Sequence, residues 1–468
     1  MPRSTTRAHP FMPNSTPEAR AALLEEIGAR SVEELFGQIP EAHRLREPMG
    51  LPPSLSSEPQ LRRHLHEMMS QNLSCEDALS FLGGGCWRHH VPAVCDEVVR
   101  RAEFLTPVWG TPSSDFGRNQ AWFEFQSQMG ELVAFDMVAM PVYSWGCAAG
   151  HAIRMASRMN GRRKVVLPRY VSPERRAVIA SYCETDDMPS FIEMVEIGID
   201  DEGRLDIDSA RAAIDETVAA VYLETPSFLG RIETAAKELG ELAHAAGAEF
   251  IVGVDPISLG VLEAPSVYGA DIAVGSIQPL GVHMNGGGGL GGFIASRDDE
   301  RYARQYPTLQ VGVAKDPNGA FGFGLALAHQ SSYGMREEGN DWTGNSTYLW
   351  AIAASVYMAV MGPRGFEELG ETILQRAHFA ARLLDGIDGV NVRWPGGFFK
   401  EFVVDFSASG KSVAGVNEAL LGEGILGGID LSRDFPELGA SALYCVTELH
   451  TEDDLKRLAD ALAKAVAQ

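Results

Sequence analysis

From about Phe123 onward, stretches with apolar residues at helical spacing alternate with short β-branched runs. That alternation is the pattern of a mainly parallel sheet covered by helices on both faces. Strands are predicted over 164–168, 194–197, 219–223, 250–254, 272–274 and 292–296. Between two of them, TAAKELGELAHAAG (234–247) places Leu239, Leu242, Ala243 and Ala246 on one helical face, with Gly247 as the stop, so the unit reads as a βαβ crossover. A different pattern follows Trp350. An apolar helix over 351–361 should end at Gly362-Pro363, and a second should cover 365–384. Strands at 390–393, 399–405 and 443–447 with helices at 412–423 and 451–467 then complete a smaller α+β domain.

The N-terminal region is helical and punctuated. Ser15 with Glu18, and Ser31 with Glu34, have capping-box spacing, Pro17 suits a first turn, and Gly28 stops the first helix. The prolines of 48–59 predict an extended arm before a helix over 60–71. The expected organisation is an arm with helices (1–70), a large α/β domain (71–345) and a small C-terminal α+β domain (346–468).

Charge narrows the partners. Among 468 residues, 39 Lys and Arg stand against 63 Asp and Glu, a net charge of −24. This repels a phosphate backbone and argues against nucleic acid. The 45% hydrophobic and 22% charged composition is that of a folded globular chain. No apolar run of membrane-spanning length occurs, and Arg3 and Arg7 precede no apolar core, so neither a membrane span nor a secretory signal is expected and the expected address is cytoplasmic. Cys75, Cys86, Cys95, Cys147, Cys183 and Cys445 show no framework spacing and are expected as free thiols.

Candidate chemistry gathers in the middle of the chain. In YSWGCAAG (143–150), Ser144, Gly146 and Cys147 lead into a helix whose first amides can hold an anion such as a cofactor phosphate, or whose small residues can pack closely on a neighbour. Asp255 follows the apolar run FIVGV at the carboxyl end of a strand, where an acid can pair with a pyridine nitrogen or simply cap the turn DPISLG. A pyridoxal enzyme of this topology would carry its Schiff-base lysine on the loop after the 272–274 strand. The chain has seven lysines, and GSIQPLGVHMNGGGG contains none of them. NGGGGLGG (285–292) matches no phosphate loop; glycines such as Gly287 and Gly288 read as a close approach to another subunit or its ligand, or as a hairpin. Cys86, His89, His90 and Cys95 are zinc-competent types at an atypical spacing, so a polar interface loop is expected there and no metal.

Long blocks carry a family resemblance over nearly the whole chain from about Met12. They include SVEELFGQIP (31–40), LPPSLSSEPQLRRHL (51–65), SFLGGG, HHVPAV, FEFQSQMGEL (123–132), ADIAVGSIQPLG (270–281), FKEFVVDF, NEALLGEGILGGIDL and YCVTE. On these the sequence resembles subunit 1, the alpha half, of the two-subunit glycine dehydrogenase (decarboxylating), the P-protein of the glycine cleavage system; residues 1–11 then read as an extension or an alternative start. The resemblance implies a fold-type-I pyridoxal-phosphate transferase architecture. It also implies that a lysine-bearing subunit 2 holds the pyridoxal phosphate covalently, and that no coenzyme is covalently bound to this chain. The implied reaction decarboxylates glycine and passes the aminomethyl group to the lipoyl arm of H-protein, with the aminomethyltransferase T-protein acting downstream. Ser144, Gly146, Cys147 and Asp255 would be vestigial or auxiliary coenzyme contacts, and no catalytic residue is assigned to this chain. His89, Arg336, Asn345, Gly287 and Gly288 would lie in interface or shared-cleft loops. Several such loops depart from the family pattern, as in Trp87-Arg88-His89-His90, LTPVWGTPSSDFGRN (105–119), Tyr143-Ser144-Trp145-Gly146 and REEGNDWTGNS (336–346). They leave open a divergent paralogue acting on another amino acid or amine, or a non-catalytic binding protein.

Overall fold

The computed structural model describes residues 12, 15–45, 47, 50–55, 57–105, 112–185, 189–326, 339–343 and 347–467. It divides into two units, Met1–Leu73 and Ser74–Gln468. The first holds helices α1 (Pro17–Glu26), α2 (Val32–Leu35) and α3 (Glu58–Met69). The α1 cap lies one residue later than its sequence signal: Thr16, not Ser15, accepts the Ala19 amide at 3.2 Å, because Pro17 occupies the first helical position. At α2, Ser31 makes no side-chain cap bond, whereas Glu34 accepts the Arg30 amide at 3.0 Å. Helix α3 starts earlier than predicted, with Ser57 as its cap and Pro59 in its first turn.

The second unit contains α4 (Ala93–Val99), α5 (Pro112–Val133), α6 (Trp145–Asn160), α7 (Pro173–Cys183), α8 (Ile207–Ala213), α9 (Ala236–Ala245), α10 (Glu300–Ala303), α11 (Tyr348–Asp385), α12 (Val413–Gly422) and α13 (Glu452–Ala467). Its strands are β1 (Leu79–Ser80), β2 (Met137–Val138), β3 (Lys164–Pro168), β4 (Glu193–Ile197), β5 (Val218–Glu224), β6 (Glu249–Val254), β7 (Ile272–Ser276), β8 (Gly292–Ser296), β9 (Gln310–Lys315), β10 (Phe321–Ala326), β11 (Asn391–Val392), β12 (Glu401–Asp405), β13 (Ile425–Leu426), β14 (Ile429–Asp430) and β15 (Ser441–Cys445).

The large sheet runs β2-β8-β7-β6-β5-β3-β4. All six predicted strands lie in it, and β4, β3, β5, β6 and β7 are parallel. Strand β8 returns antiparallel to β7, because the glycine-rich connection contains no crossover helix. Both faces are buried: Val165, Tyr222, Ile251 and Val274 pack with Ala148, Ala152 and Ile153 of α6, while Val166, Val221, Phe250 and Val252 face the opposite core with Leu239 of α9. That two-sided burial explains the nearly continuous apolar strand sequences. Helix α6 packs directly on α7: a Cβ on Gly146 would lie 2.9 Å from Val178, and one on Gly150 would lie 2.7 Å from the Tyr182 ring.

The C-terminal sheet, β11-β12-β15-β14, is antiparallel and packs Phe402, Val404 and Tyr444 with Ala377 and Leu384 of α11 and Leu458 and Leu462 of α13. The two helices expected on either side of Gly362-Pro363 are both present within α11, separated by a kink where Gly362 takes the non-helical φ 59° and ψ 176°. The predicted break is therefore present. The β9-β10 hairpin was not anticipated; its turn is organised by Asp316, whose carboxylate accepts the Asn318 and Ala320 amides at 2.9 and 2.8 Å.

At the end of the glycine run, a Cβ on Gly292 would lie 2.1 Å from the Ser144 carbonyl oxygen, whereas one on Gly288 would meet nothing closer than 3.8 Å. Gly292→Ala is expected to lower stability by about 1–3 kcal/mol. Gly288→Ala should stay within about 0.5 kcal/mol. Urea midpoints of the two variants distinguish a close-packed strand start from an open loop.

Candidate functional site

The carboxyl ends of β5 and β6 present two acids, Glu224 and Asp255, both almost fully buried. Asp255 divides its oxygens. Oδ1 accepts the Ile257 amide at 3.1 Å and so caps the short 3-10 turn Pro256–Gly260. Oδ2 accepts no hydrogen bond of good directional geometry, but lies 2.7 Å from the Lys400 ammonium in a close ion pair.

Lys400 immediately precedes β12 and is 2% exposed. Its Nζ lies 3.0 Å from His89 Nε2 and 3.5 Å from the centroid of the Trp87 ring. An ammonium has three donors, and here they meet a carboxylate, an imidazole nitrogen and an indole face. An amine so engaged has no free lone pair with which to attack a carbonyl. Because Nε2 accepts from Lys400, the network assigns the His89 proton to Nδ1, which donates to Glu448 Oε2 at 2.8 Å. Glu448 Oε1 accepts the His90 amide at 2.6 Å. Burial pushes the Glu448 carboxyl up, but the electrostatic pull and hydrogen bond of the His89 Nδ1–H, aided by the His90 amide, outweigh it and hold it at about 2.

A second network stands beside the first. Arg175 of α7 pairs with Glu224 at 2.6 Å and lies 3.8 Å over the Trp145 ring. Tyr222 donates to Glu224 at 2.7 Å and accepts from the Trp145 indole at 3.1 Å. Burial, then the Glu224 charge, pushes the Tyr222 phenol well above its ordinary range. Between the networks remains a cavity of about 20 Å³ bordered by Trp87, Trp145, Arg175, Glu224, Asp255 and Lys400. That is space for roughly one water. A second cavity, of about 260 Å³, opens at the start of α6 beside Gly85, Cys86, Ser144, Gly146, Ser276 and Gly287.

The residues singled out in the sequence separate accordingly. Asp255 and His89 meet through Lys400. Ser144 spends its side chain on its own helix, accepting the Cys147 amide at 3.2 Å, and Gly146 fits α6 onto α7. Cys147 is half-buried beside Tyr182 and does not line either cavity. Gly287 borders the larger cavity and Gly288 is exposed. Arg336 and Asn345 lie outside the described residues. The zinc-competent types diverge: His89 serves Lys400 and Glu448, while Cys95 is buried against Gly281. Among the described residues, no group of three His, Cys, Asp or Glu is arranged to hold a metal ion.

Sequence reasoning missed Lys400, Trp87, Glu448, Arg175 and Glu224. One signal was present: in FFKEFVV (398–404) a Lys-Glu pair interrupts an apolar strand, and charges inside such a run must find buried partners. On the loop after β7, Gln278 is buried, donating to the Trp87 carbonyl at 2.8 Å and accepting the Trp87 amide at 3.0 Å. A side-chain amide, not an amine, fixes this loop.

The mostly parallel seven-stranded sheet, the acid at the end of β6 and the smaller C-terminal sheet define a fold-type-I pyridoxal-phosphate architecture. A sphingosine-1-phosphate lyase of Burkholderia pseudomallei shares this fold with a TM-score of 0.62 at 14% identity, covering 92% of this chain and 95% of that one. The chain belongs to the family described as glycine cleavage system P-protein, whose profile matches residues 9–462. It is 37% identical to a probable glycine dehydrogenase (decarboxylating) subunit 1 of Staphylothermus marinus, covering 98% of both chains. The same name is borne by a Desulfitobacterium hafniense protein, 36% identical over 96% of this chain and 98% of that one. A crystal structure of glycine decarboxylase (P-protein) of the glycine cleavage system, in inhibitor-bound form, matches with a TM-score of 0.87 at 34% identity, covering 98% of this chain and 100% of that one. No helix among the described residues is long and apolar enough to cross a membrane.

The residues of this chain do not fit pyridoxal phosphate. The loop that would provide the Schiff-base amine carries Gln278, the free oxygen of Asp255 is taken by Lys400, and the space beside it is that of one water.

Since folding holds the Glu448 carboxyl below its ordinary 4.5, its contribution is present above pH 4.5 and is lost as pH falls toward 2. Glu448→Gln is therefore expected to flatten the acid limb of stability between those values, removing up to about 3 kcal/mol of pH dependence. Chemical denaturation at stepped pH measures the difference.

Proposed function

We propose that this chain is the lysine-lacking subunit of a heteromeric glycine decarboxylase. With a lysine-bearing partner subunit it decarboxylates glycine and delivers the aminomethyl group to the lipoyl arm of an H-protein, from which a T-protein takes it onward. Near-full-length similarity to proteins named glycine dehydrogenase (decarboxylating) subunit 1, combined with Gln278 on the loop between β7 and β8, carries this reading. In it, pyridoxal phosphate is held covalently by the partner and supplies the electron withdrawal that the reaction needs.

The contribution of this chain is then positional. Gln278 fixes the Trp87 backbone, the Arg175–Glu224 pair braces α7 against β5, and His89 is held between Lys400 and Glu448. The loops bearing His89, Gly287, Gly288, Arg336 and Asn345 are assigned to the cleft shared with the partner, and the complex to the cytoplasm. The division into an arm (1–70), a large domain (71–345) and a small domain (346–468) accompanies this reading.

Co-expression with the lysine-bearing subunit is expected to yield a complex that exchanges the carboxyl carbon of glycine with bicarbonate. The isolated chain should show none. Borohydride reduction of the complex should fix the pyridoxyl group on the partner alone. Exchange by the isolated chain, or a pyridoxyl adduct on any of its seven lysines in the complex, defeats the assignment.

A further inference from the structure

The misfit between this pocket and the coenzyme has a specific cause in Lys400. In pyridoxal sites an acid pairs with the pyridinium nitrogen, a cationic N–H donor. Here the partner of Asp255 is also a cationic N–H donor, but it comes from the C-terminal region of the same chain and approaches at 2.7 Å. Trp87 lies against that donor, and Trp145 stands 6.3 Å from Trp87 between ring centroids. The space is aromatic-walled and filled. The cavity of about 260 Å³ at the start of α6 lies alongside and shares Gly84, Gly85, Trp145, Arg175 and Phe228 with the smaller one. The end of the pocket at the helix start is therefore roomy, and the end at Asp255 has space for roughly one water.

We propose that Lys400 is a built-in occupant of the ring-nitrogen position, which makes this subunit exclude pyridine phosphates from its own pocket and leaves a latent binding site beneath the lysine. The charge is as necessary as the volume. An apolar side chain would fill the space but leave Asp255 buried without a cation, at a cost that Lys400 avoids. His89 positions the ammonium from the other side, and Glu448 holds His89. The inference deepens the reading that the coenzyme belongs to the partner, by assigning the reason to this chain's own residues.

The test uses the purified full-length chain and pyridoxamine 5′-phosphate, which lacks an aldehyde and cannot form adventitious imines with surface lysines. Equilibrium dialysis should show no saturable binding to the wild-type chain. Lys400→Ala should bind one equivalent at least about 10- to 100-fold more tightly, the range expected when a charged buried acceptor regains a donor. Adding Asp255→Ala to that variant should abolish the gain. Saturable binding to the wild-type chain that Asp255→Ala removes would overturn the seal, as would a Lys400→Ala chain of wild-type circular dichroism that binds nothing.

If Lys400→Ala does not fold, reductive methylation of the wild-type chain decides the matter. Lys400 should resist modification until the chain is unfolded, while the exposed Lys237 and Lys315 react at once. Labelling of Lys400 at their rate would overturn the proposal. Exclusion by the wild-type chain with a gain in Lys400→Ala supports the seal whether or not the complex exchanges the carboxyl carbon of glycine, so the two readings fail separately.

Discussion

The Lys400–Asp255 pair is the constraint on which the centre of this protein depends. Each charge alone would lose several kcal/mol of hydration on burial. The structure tolerates them because both are met at short range, the ammonium facing a carboxylate, an imidazole nitrogen and an indole ring. That requirement brings the end of β6 beside the start of β12 and thereby ties the large sheet to the C-terminal one. The neighbouring backbone is shaped to permit it. Gly230, at φ +85°, passes so near β12 that a Cβ there would lie 1.8 Å from the Glu401 carbonyl oxygen. Gly84 donates its amide to the Glu401 carboxylate at 2.6 Å, while burial pushes that carboxyl up. Lys400 and Glu401, consecutive at the start of β12, thus reach in two directions, each met by a loop of the other region.

The Arg175–Glu224–Tyr222–Trp145 network repeats the logic on the adjacent strand. Together the two networks fill the carboxyl edge of the sheet, the usual ligand-binding edge of an α/β fold, with close ion pairs and hydrogen bonds of the chain's own side chains. A site paired internally in this way resists displacement of its members. Moving any one member strands another in a low-dielectric environment, where the loss exceeds the modest net worth of the bond itself.

The sheet was legible in the sequence because a strand buried on both faces must be apolar along its length, and VVLP, AAVYL and FIVGV are. The break at Gly362-Pro363 was legible because a proline cannot continue a helix, and Gly362 there takes non-helical dihedrals. The Ser15 signal missed by one residue because Thr16 competes with it directly before Pro17. Asp255 could be read from its place after a strand, and both readings of it hold part of the truth: one oxygen caps the turn and the other meets a cation. The identity of that cation was not legible. Lys400 lies 145 positions later, and nothing local links the two; only the register of β12 against β15 and its approach to β6 aligns them.

Gln278 and Lys400 together show how a fold built around a coenzyme keeps its shape without one. Two demands on such a site are separable. One is covalent, an amine on the loop after β7; the other is electrostatic, a cation for the acid after β6. Replacing the amine by the amide of Gln278 removes the nucleophile but preserves the loop, because the amide bonds the Trp87 backbone at both its nitrogen and its oxygen. Emptying the ring position would then leave Asp255 as an uncompensated buried charge, a defect costing about 3–5 kcal/mol. Lys400 meets the electrostatic demand from the opposite side of the pocket, where its own engaged amine cannot serve as a Schiff-base donor. The electrostatic demand of the architecture is thus met within this chain, by a residue far from the loop on which the covalent demand would fall.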